Sequence, residues 1–358
     1  MKIWNIILMI IMISTYSVNA QSDNDMLFKG FDDQPRGRKA ARIMFYNVEN
    51  LFDITHDSAK FDQQFLPDGE YRWDKRKYWA KQKKIAQVIT ALGGWEMPAI
   101  VGLAEVENLH TLINLCYYTQ LKSTNYQIVH HESPDRRGID VAFLYRKEKF
   151  KLLLDSAISI RFPFDTASRT RDILYVKGIL LNTDTLHFVV THWPSKYGGA
   201  FVTIPKRVYV AQQIRKLSDS IISKNPNANI IIMGDLNDTP DEKSLRQGLQ
   251  AVTPDPNSTE ALFNLMMPLM RAGYGTHFYK GPTGAEWSFI DQFIVSRGLY
   301  NAKQGIGIKD NKPMVFRAAF LMEKNDAAIE VPNRTYIGMK YHGGYSDHLP
   351  IYLDLQVR

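Results

Sequence analysis

The stretch IIIMGDLND, at residues 230–238, most constrains what this chain can fold into. Four apolar residues ended by Gly234 predict a buried strand that delivers polar side chains to the end of a sheet. Asp235 and Asn237 alternate around Leu236, so both side chains point the same way if the chain stays extended. A carboxylate beside a carboxamide suits phosphate chemistry, because the carboxylate accepts a proton or binds a cation while the amide positions an oxygen. A plain polar turn gives the same pattern, so other parts of the chain must decide.

Residues 1–20 differ from the rest of the chain. Lys2 is their only charge, residues 6–13 are almost wholly apolar, and the segment ends in the small residue Ala20. This pattern is typical of a secretory signal peptide cleaved near Ala20, and its apolar run is short for a membrane span. We therefore predict a secreted or periplasmic protein with no transmembrane span after cleavage, an uncleaved anchor being the alternative. Residues 21–40 are polar without periodicity and predict a flexible leader.

Composition narrows the chemistry of the remaining chain. Cys116 is the only cysteine, which excludes an internal disulfide and a cysteine-based metal site, and its apolar helical neighbours indicate a packing role. The formal net charge of +7 favours attraction to polyanions such as nucleic acid, and equally to an anionic membrane. No internal repeat and no interdomain linker is evident, so one domain is predicted over residues 41–358.

Apolar periodicity predicts strands alternating with helices along this domain. Helices are expected over residues 75–92, from Asn108 to 120, over 202–223, and from Thr239 onward, with Asn108 and Thr239 as caps. Residues 250–285 are predicted to be an irregular loop on the substrate side. Besides the strand at 230, strands are expected at 42–46, 99–104, 126–131, 139–145, 173–181, 186–191 and 288–295, and from 350 to the end.

Polar side chains follow the ends of five of these strands. Such ends are ordinary one at a time, but a set spread over three hundred residues predicts convergence at one end of a two-sheet core. Hydrolysis of a phosphate ester needs a hard cation, a base for water, and groups that stabilise developing charge. The residues at these ends supply all three: Asn47, Glu105, His192, Asp235 with Asn237, and Asp347 with His348.

Further residues complete the predicted chemistry. Glu105 and Asp347 are oxygen ligands suited to Mg²⁺ or Ca²⁺. His192 and His348 exchange protons near neutral pH, and each needs a carboxylate to fix its tautomer. The candidate for His348 is Asp291, for which a purely structural role is the alternative.

Two assignments rest on position alone. Asp140 is the candidate carboxylate for His192, although His192 before Trp193 also fits a packing role. Arg171, in a short polar stretch, is a candidate for binding a phosphate with both guanidinium nitrogens. Of the remaining histidines, His131 and His277 are candidates only for lining a cleft.

Seven motifs in order carry a family resemblance: NVENLFD, LAEVEN, GIDVAFLYR, THWPSK, GDLND, FIDQFIVS and YSDHLPI. Together they resemble the endonuclease/exonuclease/phosphatase superfamily of DNase I-like enzymes, and residues 53–75 resemble its exported bacterial members. The resemblance covers residues 41–358. It implies a catalytic domain with a four-layered α/β sandwich, in which two mixed β-sheets pack face to face with helices outside.

The resemblance also implies roles for individual residues. Glu105 would be the principal metal ligand, with Asn47 and Asp347 helping to hold metal or phosphate. Asp235 and Asn237 would orient the attacking water and the phosphate. In the same family pattern His348, backed by Asp291, is the base or the phosphate-binding histidine, and His192 stabilises the phosphate or assists the leaving group. Which histidine is base and which is acid stays open.

We therefore predict an exported, divalent-metal-dependent phosphodiesterase that uses Mg²⁺, with Mn²⁺ or Ca²⁺ as alternatives. The expected substrate is nucleic acid, and the enzyme is expected to be a monomer without a stable protein partner. The alternative is a phosphoesterase for sphingomyelin, inositol phosphates or another small phosphate ester. An aromatic hairpin beside the site would favour a lipid substrate, whereas a long basic groove would favour nucleic acid. A catalytically dead binding protein is disfavoured because every required side chain is present.

Overall fold

Two mixed β-sheets stacked face to face form the centre of the fold. The computed structural model describes residues 31–281 and 284–358, and it includes the side chains of all of these except residues 280 and 281. The predicted signal peptide and residues 21–30 of the predicted leader lie outside the described residues. The strands in chain order are β1 (Ala40–Leu51), β2 (Ile100–Val106), β3 (Tyr126–His130), β4 (Asp140–Arg146), β5 (Phe150–Ile158), β6 (Ile173–Leu180), β7 (Asp184–His192), β8 (Asn229–Asp235), β9 (Ala251–Val252), β10 (Leu262–Asn264), β11 (His277–Gly281), β12 (Gly284–Ser288), β13 (Asp291–Ser296), β14 (Ile306–Val315), β15 (Met322–Lys324), β16 (Glu330–Pro332), β17 (Tyr336–Ile337), β18 (Lys340–Tyr341) and β19 (Ile351–Val357).

Each large sheet contains both parallel and antiparallel pairs. The first sheet has the order β14-β19-β1-β2-β4-β3 and the second β5-β6-β7-β8-β13-β10-β9. In the first, β1 and β2 are parallel; in the second, β7 and β8 are parallel, and each of these pairs needs a crossover connection. Short two-stranded sheets are formed by β11-β12, β15-β16 and β17-β18.

Helices cover the outer faces of both sheets. The α-helices are α1 (Lys75–Gly93), α2 (Leu109–Tyr117), α3 (Ala200–Ile222), α4 (Met267–Arg271) and α5 (Arg297–Tyr300). Apolar residues of α1 and α2, Cys116 among them, pack on the first sheet, and those of α3 pack on the second. A third apolar core fills the space between the sheets. The predicted four-layered α/β sandwich is therefore confirmed. Within the described part of the chain, no helix combines the length and apolarity needed to cross a bilayer.

Side-chain alternation decides which polar residues face the space between the sheets. Phe45 of β1 and Met233 of β8 both belong to the core between the sheets. Successive strand residues point to opposite faces, so Asn47 and Asp235, two positions further along, keep that inward orientation. The two sheets therefore deliver a carboxamide and a carboxylate to the same end of the shared core.

Several predicted elements differ from the structure. The short helix predicted from Thr239 begins later: residues 239–242 form a turn, in which the Glu242 backbone N–H donates to the Thr239 carbonyl and the Glu242 carboxylate accepts from the Thr239 backbone N–H at 2.6 Å, and the helix spans Ser244–Leu249. Asn108 caps α2 as predicted, by accepting from the backbone N–H of Thr111, but the helix ends at Tyr117. The region predicted as an irregular loop over 250–285 contains β9, β10, α4 and the β11-β12 hairpin, and β5 was not predicted.

The end of the predicted leader lies against the domain. Arg36 is largely buried, and its guanidinium donates to the backbone carbonyls of Gly93 and Glu96. Phe31 contacts Phe316 with ring centroids 5.1 Å apart. Residues 31–39 of the predicted leader thus contact the domain, and the flexibility of the leader stays a prediction.

Candidate active site

Three predicted site residues lie side by side across the second sheet. Strand register pairs His192 with Asp235 and Asp235 with Asp291, so these positions are adjacent on β7, β8 and β13. Nε2 of His192 lies 3.5 Å from Oδ2 of Asp235. All three residues are at least 95 % buried. The sequence-based prediction that these distant strand ends meet at one point is thus matched by their geometry.

Asn47 brings the first sheet to the same point. Its Nδ2 donates to Asp235 Oδ2 at 3.0 Å, and its Oδ1 accepts from the Glu49 backbone N–H at 3.0 Å. The Asp235 carboxylate therefore bridges the ends of the two sheets. On its other oxygen, Oδ1, Asp235 accepts from the backbone N–H of Asn237 at 2.9 Å.

Asn237 lies beyond the end of β8 with φ of 51°. This left-handed conformation is one that asparagine adopts more readily than most residues. Its side-chain Nδ2 donates to the Trp193 carbonyl at 3.0 Å. The chain therefore does not stay extended through Asn237, so the shared direction predicted for the Asp235 and Asn237 side chains does not hold; the turn given as the alternative is formed, and it holds Asn237 against the loop that follows His192.

A β-bulge positions Glu105. The register of β2 shifts between Ala104 and Val106, and Glu105 between them has φ of 66°. A bulge redirects a side chain that regular alternation would send to the other face, and a left-handed glutamate stores backbone strain. Glu105 Oε2 accepts from the Asn50 backbone N–H at 2.8 Å, and Oε1 lies 3.9 Å from Nε2 of His192.

The predicted pair of His348 and Asp291 is formed. His348 Nδ1 lies 2.7 Å from Asp291 Oδ2, and its Nε2 lies 3.9 Å from both Asp235 Oδ2 and Asp347 Oδ1. Ser346 fixes the segment by donating to the Asn47 carbonyl and accepting from the His348 backbone N–H. Asp291 therefore orients the imidazole so that Nε2 faces the carboxylates of the site.

The environment gives the two histidines opposite charge states. Burial disfavours the charge on His348, but Asp291 and two further carboxylates outweigh burial and raise its pKa well above the usual range. Burial, followed by the Arg171 guanidinium, lowers the pKa of His192 well below the usual range. Burial also raises the pKa of Asp235 to about 7. Near neutral pH the site therefore holds a cationic His348, a neutral His192 and a carboxylate poised to exchange a proton.

Residues that the sequence analysis did not assign surround the predicted ligands. Glu49 is buried, and its pKa is raised, first by burial and then by the Asp347 carboxylate. Arg334 Nη2 lies 2.8 Å from Asp347 Oδ2, and Lys81 is buried with its pKa lowered to about 8 by burial. Glu49 stood in the NVENLFD motif and could have been found there, and Lys81 stood in the run of basic residues of the helix predicted over 75–92, whereas nothing in the sequence near Arg334 marked it.

The donor set fits a hard divalent cation. Glu49, Glu105 and Asp347 all act electrostatically on the same two cations, Lys81 and Arg334. The carboxylates outnumber these cations, and the pKa of Glu49 is raised by burial and then by repulsion from Asp347. A cation would relieve this repulsion, and oxygen donors of this kind suit Mg²⁺, Mn²⁺ or Ca²⁺.

The predicted pairing of Asp140 with His192 is wrong, because the described contacts of Asp140 are with other residues. Asp140 Oδ2 lies 3.5 Å from His130 Nε2, and its Oδ1 accepts from the Ser133 backbone N–H. Nδ1 of His192 has no hydrogen-bond partner among the described residues. In the antiparallel β3-β4 pair His130 lies opposite Ala142, so Asp140, two residues from Ala142 on the same face of β4, lies diagonally across from His130.

Arg171 is also placed differently from its prediction as a phosphate clamp. Its guanidinium donates to the carbonyls of His192 and Trp193, and Nη1 lies 3.1 Å from Asp135 Oδ2. The side chain is 7 % exposed. Each guanidinium nitrogen is thus occupied by protein, and Arg171 supports the backbone that carries His192.

We expect Arg171→Met to lower the free energy of unfolding by about 3 kcal/mol, because it leaves Asp135 buried without its partner. Urea denaturation at pH 7 would measure this. Arg169→Met is the matched control: Arg169 is exposed and bonds only nearby carbonyls, so its replacement should change stability by less than about 0.5 kcal/mol. Unchanged stability with weakened inhibition by inorganic phosphate would restore the clamp role.

The chain belongs to the Endonuclease/Exonuclease/phosphatase family, whose model matches residues 42–357. The match spans the whole sandwich and each residue of the site. The family resemblance stated from the motifs is therefore confirmed. Members of this family are phosphoester hydrolases, which agrees with the carboxylates and histidines gathered at the end of the sheets.

Solved structures show the same fold at low sequence identity. A truncated TDP2 from Caenorhabditis elegans is 17% identical, with a TM-score of 0.52, covering 88% of this chain and 98% of that one. The human Nocturnin catalytic domain with bound sulfate is 15% identical, with a TM-score of 0.53 and coverages of 89% and 95%. The mannosyl-6-phosphatase Bt3783 of Bacteroides thetaiotaomicron is 16% identical, with a TM-score of 0.53 and coverages of 88% and 99%. No curated protein matches the chain.

Proposed function

We propose that this protein is an exported, divalent-metal-dependent phosphoester hydrolase. The observation that carries the proposal is the meeting of Asn47 from one sheet with His192, Asp235 and Asp291 from the other, beside His348. The proposal of export rests on the sequence pattern of residues 1–20.

Glu105, Asp347 and Asn47, with Glu49 beside them, would hold the metal, which when bound supplies positive charge to polarise a phosphoryl oxygen. Asp235 accepts a proton from the attacking water, because its pKa of about 7 balances availability of the anion against basicity. Asn237 fixes the position of Asp235 through its backbone N–H.

The two histidines take different parts in this proposal. His348, held cationic by Asp291, stabilises negative charge on the phosphate as bonds rearrange. His192 is neutral and offers Nε2 for hydrogen bonding to the phosphate or leaving group. The family pattern left their roles open, and the opposite directions of their pKa shifts support this division.

The site surroundings favour the small phosphate ester over the nucleic acid substrate. Lys196 is paired with Glu242, Arg334 with Asp347, and Arg171 with Asp135. These three cations are already paired with carboxylates and do not form a track that would follow a polynucleotide backbone; Arg137, which acts on His192 and donates to Asn50, is one cation beside the site without an ion pair among the described residues. The net charge of +7 still supports nucleic acid as the second candidate, so both classes belong in one assay.

The test is an activity panel on the chain from Gln21 onward. Plasmid DNA, RNA, sphingomyelin, bis(p-nitrophenyl) phosphate and p-nitrophenyl phosphate are each assayed with Mg²⁺, Mn²⁺ or Ca²⁺. We expect hydrolysis of at least one chromogenic ester, abolished by a chelator and restored by added metal. Activity that persists after exhaustive chelation would contradict metal dependence, and inactivity on every substrate with every metal would contradict the proposal.

A further inference from the structure

A cavity of about 680 Å³ lies between the β11-β12 hairpin and the loop at residues 195–200, and we call it the side cavity. Asn237 and His277 belong to its lining. Asn237 bonds to Asp235 through its backbone, and the His277 ring lies 4.8 Å from that of His348. The side cavity therefore opens directly beside the reacting groups, where the organic part of a phosphate ester would lie.

One face of the β11-β12 hairpin forms a wall of the side cavity. The antiparallel register pairs His277 with Ser288 and Tyr279 with Glu286, and all four line the cavity. On the opposite face, the rings of Phe278 and Trp287 contact each other at 5.5 Å, and Trp287 packs against the apolar core outside the first sheet. Packing on one face thus holds the other face in place before a ligand arrives.

Aromatic side chains project into solvent on both sides of the side cavity. Tyr197 is 93% exposed on the loop and Tyr279 is 55% exposed on the hairpin. The loop turns at Gly198 and Gly199, which have φ of 83° and 119°, and a Cβ at Gly198 would meet no atom within 4 Å. Glycine is needed there for its backbone conformation, which carries Tyr197 to the edge of the cavity.

The charge of the lining disfavours a second phosphate. Its lysine, Lys196, lies 2.8 Å from Glu242 and 3.5 Å from Asp238, so its charge is already balanced. Glu286 is exposed, and none of the described side chains forms an ion pair with it. A polynucleotide carries one negative charge per nucleotide and would bring further phosphates toward this carboxylate.

Hydroxyl groups match this lining better than charged groups do. The Glu286 carboxylate only accepts hydrogen bonds, while the Ser195 and Ser288 hydroxyls both donate and accept. A tyrosine ring offers a flat apolar face beside these polar groups. We propose that the side cavity binds a neutral, hydroxyl-rich ring carrying one phosphate, such as a hexose phosphate. This inference rests on the proposed phosphoester hydrolase function and names the substrate class of the same site.

The test compares substrates that share a phosphate but differ in the attached group. Glucose 6-phosphate, mannose 6-phosphate, adenosine 5′-phosphate, a short oligonucleotide and p-nitrophenyl phosphate are assayed with metal present. We expect at least one hexose phosphate to exceed p-nitrophenyl phosphate in kcat/KM by about tenfold or more, because a site built for hydroxyls discriminates against a group that lacks them.

Variants then locate the source of that preference. Glu286→Gln and Tyr279→Ala should each reduce the ratio of kcat/KM for hexose phosphate to that for p-nitrophenyl phosphate by about tenfold, mainly through KM. Glu260→Gln and Tyr118→Ala are matched exposed controls outside the cavity and should leave the ratio unchanged. Circular dichroism tests whether each variant is folded. If Tyr279→Ala does not fold, the test rests on Glu286→Gln, which is an isosteric change at an exposed residue.

The outcomes separate the two proposals. Hydrolysis of none of these compounds and of none in the first activity panel would overturn the proposed function itself. Hydrolysis of a substrate of the first panel but of no hexose phosphate would overturn only the side-cavity inference. Hydrolysis of p-nitrophenyl phosphate without a preference for any hexose phosphate would overturn only the side-cavity inference, as would faster cleavage of the oligonucleotide. A hexose phosphate preference that survives Glu286→Gln would also overturn it.

Discussion

Replacement of Asp235 by asparagine is expected to lower kcat about 10³-fold while leaving the fold intact. An asparagine keeps the shape, but its single oxygen can accept from only one of the two N–H groups that bond Asp235, those of Asn47 Nδ2 and the Asn237 backbone, and it cannot take a proton from water. General base catalysis contributes about 10²–10⁴-fold to such rates. Steady-state kinetics on a chromogenic phosphate ester, with thermal unfolding recorded in parallel, would measure both effects.

The pH profile adds a second readout for Asp235. Burial raises its pKa to about 7, and only the ionised form accepts a proton, so kcat/KM of the wild type should rise with pH through about 7. Asp235→Asn should lose this rising limb. Asp326→Asn, an exposed carboxylate remote in sequence from the site motifs, is the control and should keep wild-type kinetics. An Asp235→Asn enzyme with the wild-type rate and profile would refute the assignment.

Glu105→Gln is expected to raise the metal concentration needed for half-maximal activity by at least about tenfold. Glutamine preserves the acceptor for the Asn50 backbone N–H but removes a negative ligand for a hard cation. Altering even an outer contact of a metal ligand costs about 10–100-fold in affinity, so removing a ligand charge should cost at least as much. Calorimetric titration with Mn²⁺ measures binding without relying on activity.

Glu107 supplies a matched control on the same segment. Burial raises its pKa to about 8, so it is largely protonated at pH 7, and glutamine closely imitates its neutral form. Glu107→Gln should therefore leave the Mn²⁺ titration unchanged at pH 7. Equal losses of Mn²⁺ affinity in both variants would show that the general negative charge, and not Glu105 as a ligand, determines binding.

The site residues could be predicted from the sequence because they lie at the ends of strands, which local patterns of apolar residues indicate. Apolar runs predicted the strands whose ends carry Asn47 and Asp235. Alternation predicted a shared direction for Asp235 and Asn237 only if the chain stayed extended, and it does not, because Asn237 has φ of 51°. The family pattern supplied the pairing of His348 with Asp291. These features depend on strand spacing and order, which the sequence carries directly.

The misplaced residues depend on contacts that no local pattern encodes. Asp140 lies near His130 because the β3-β4 register places the two diagonally across the strand pair, and Arg171 is enclosed by carbonyls of a loop that follows a different strand. The β11-β12 hairpin was predicted as an irregular loop, since its outer face mixes charge and aromatic side chains without a regular period. Tertiary neighbours decided each of these cases.

The bond from Asn47 to Asp235 joins the ends of two separate sheets, so the active centre exists only while those sheets keep their mutual position. Catalytic activity therefore depends on how the two sheets pack against each other. A change deep in the layer between the sheets, far from any substrate, would shift one half of the centre against the other. Such a change should abolish catalytic activity while the protein is still folded.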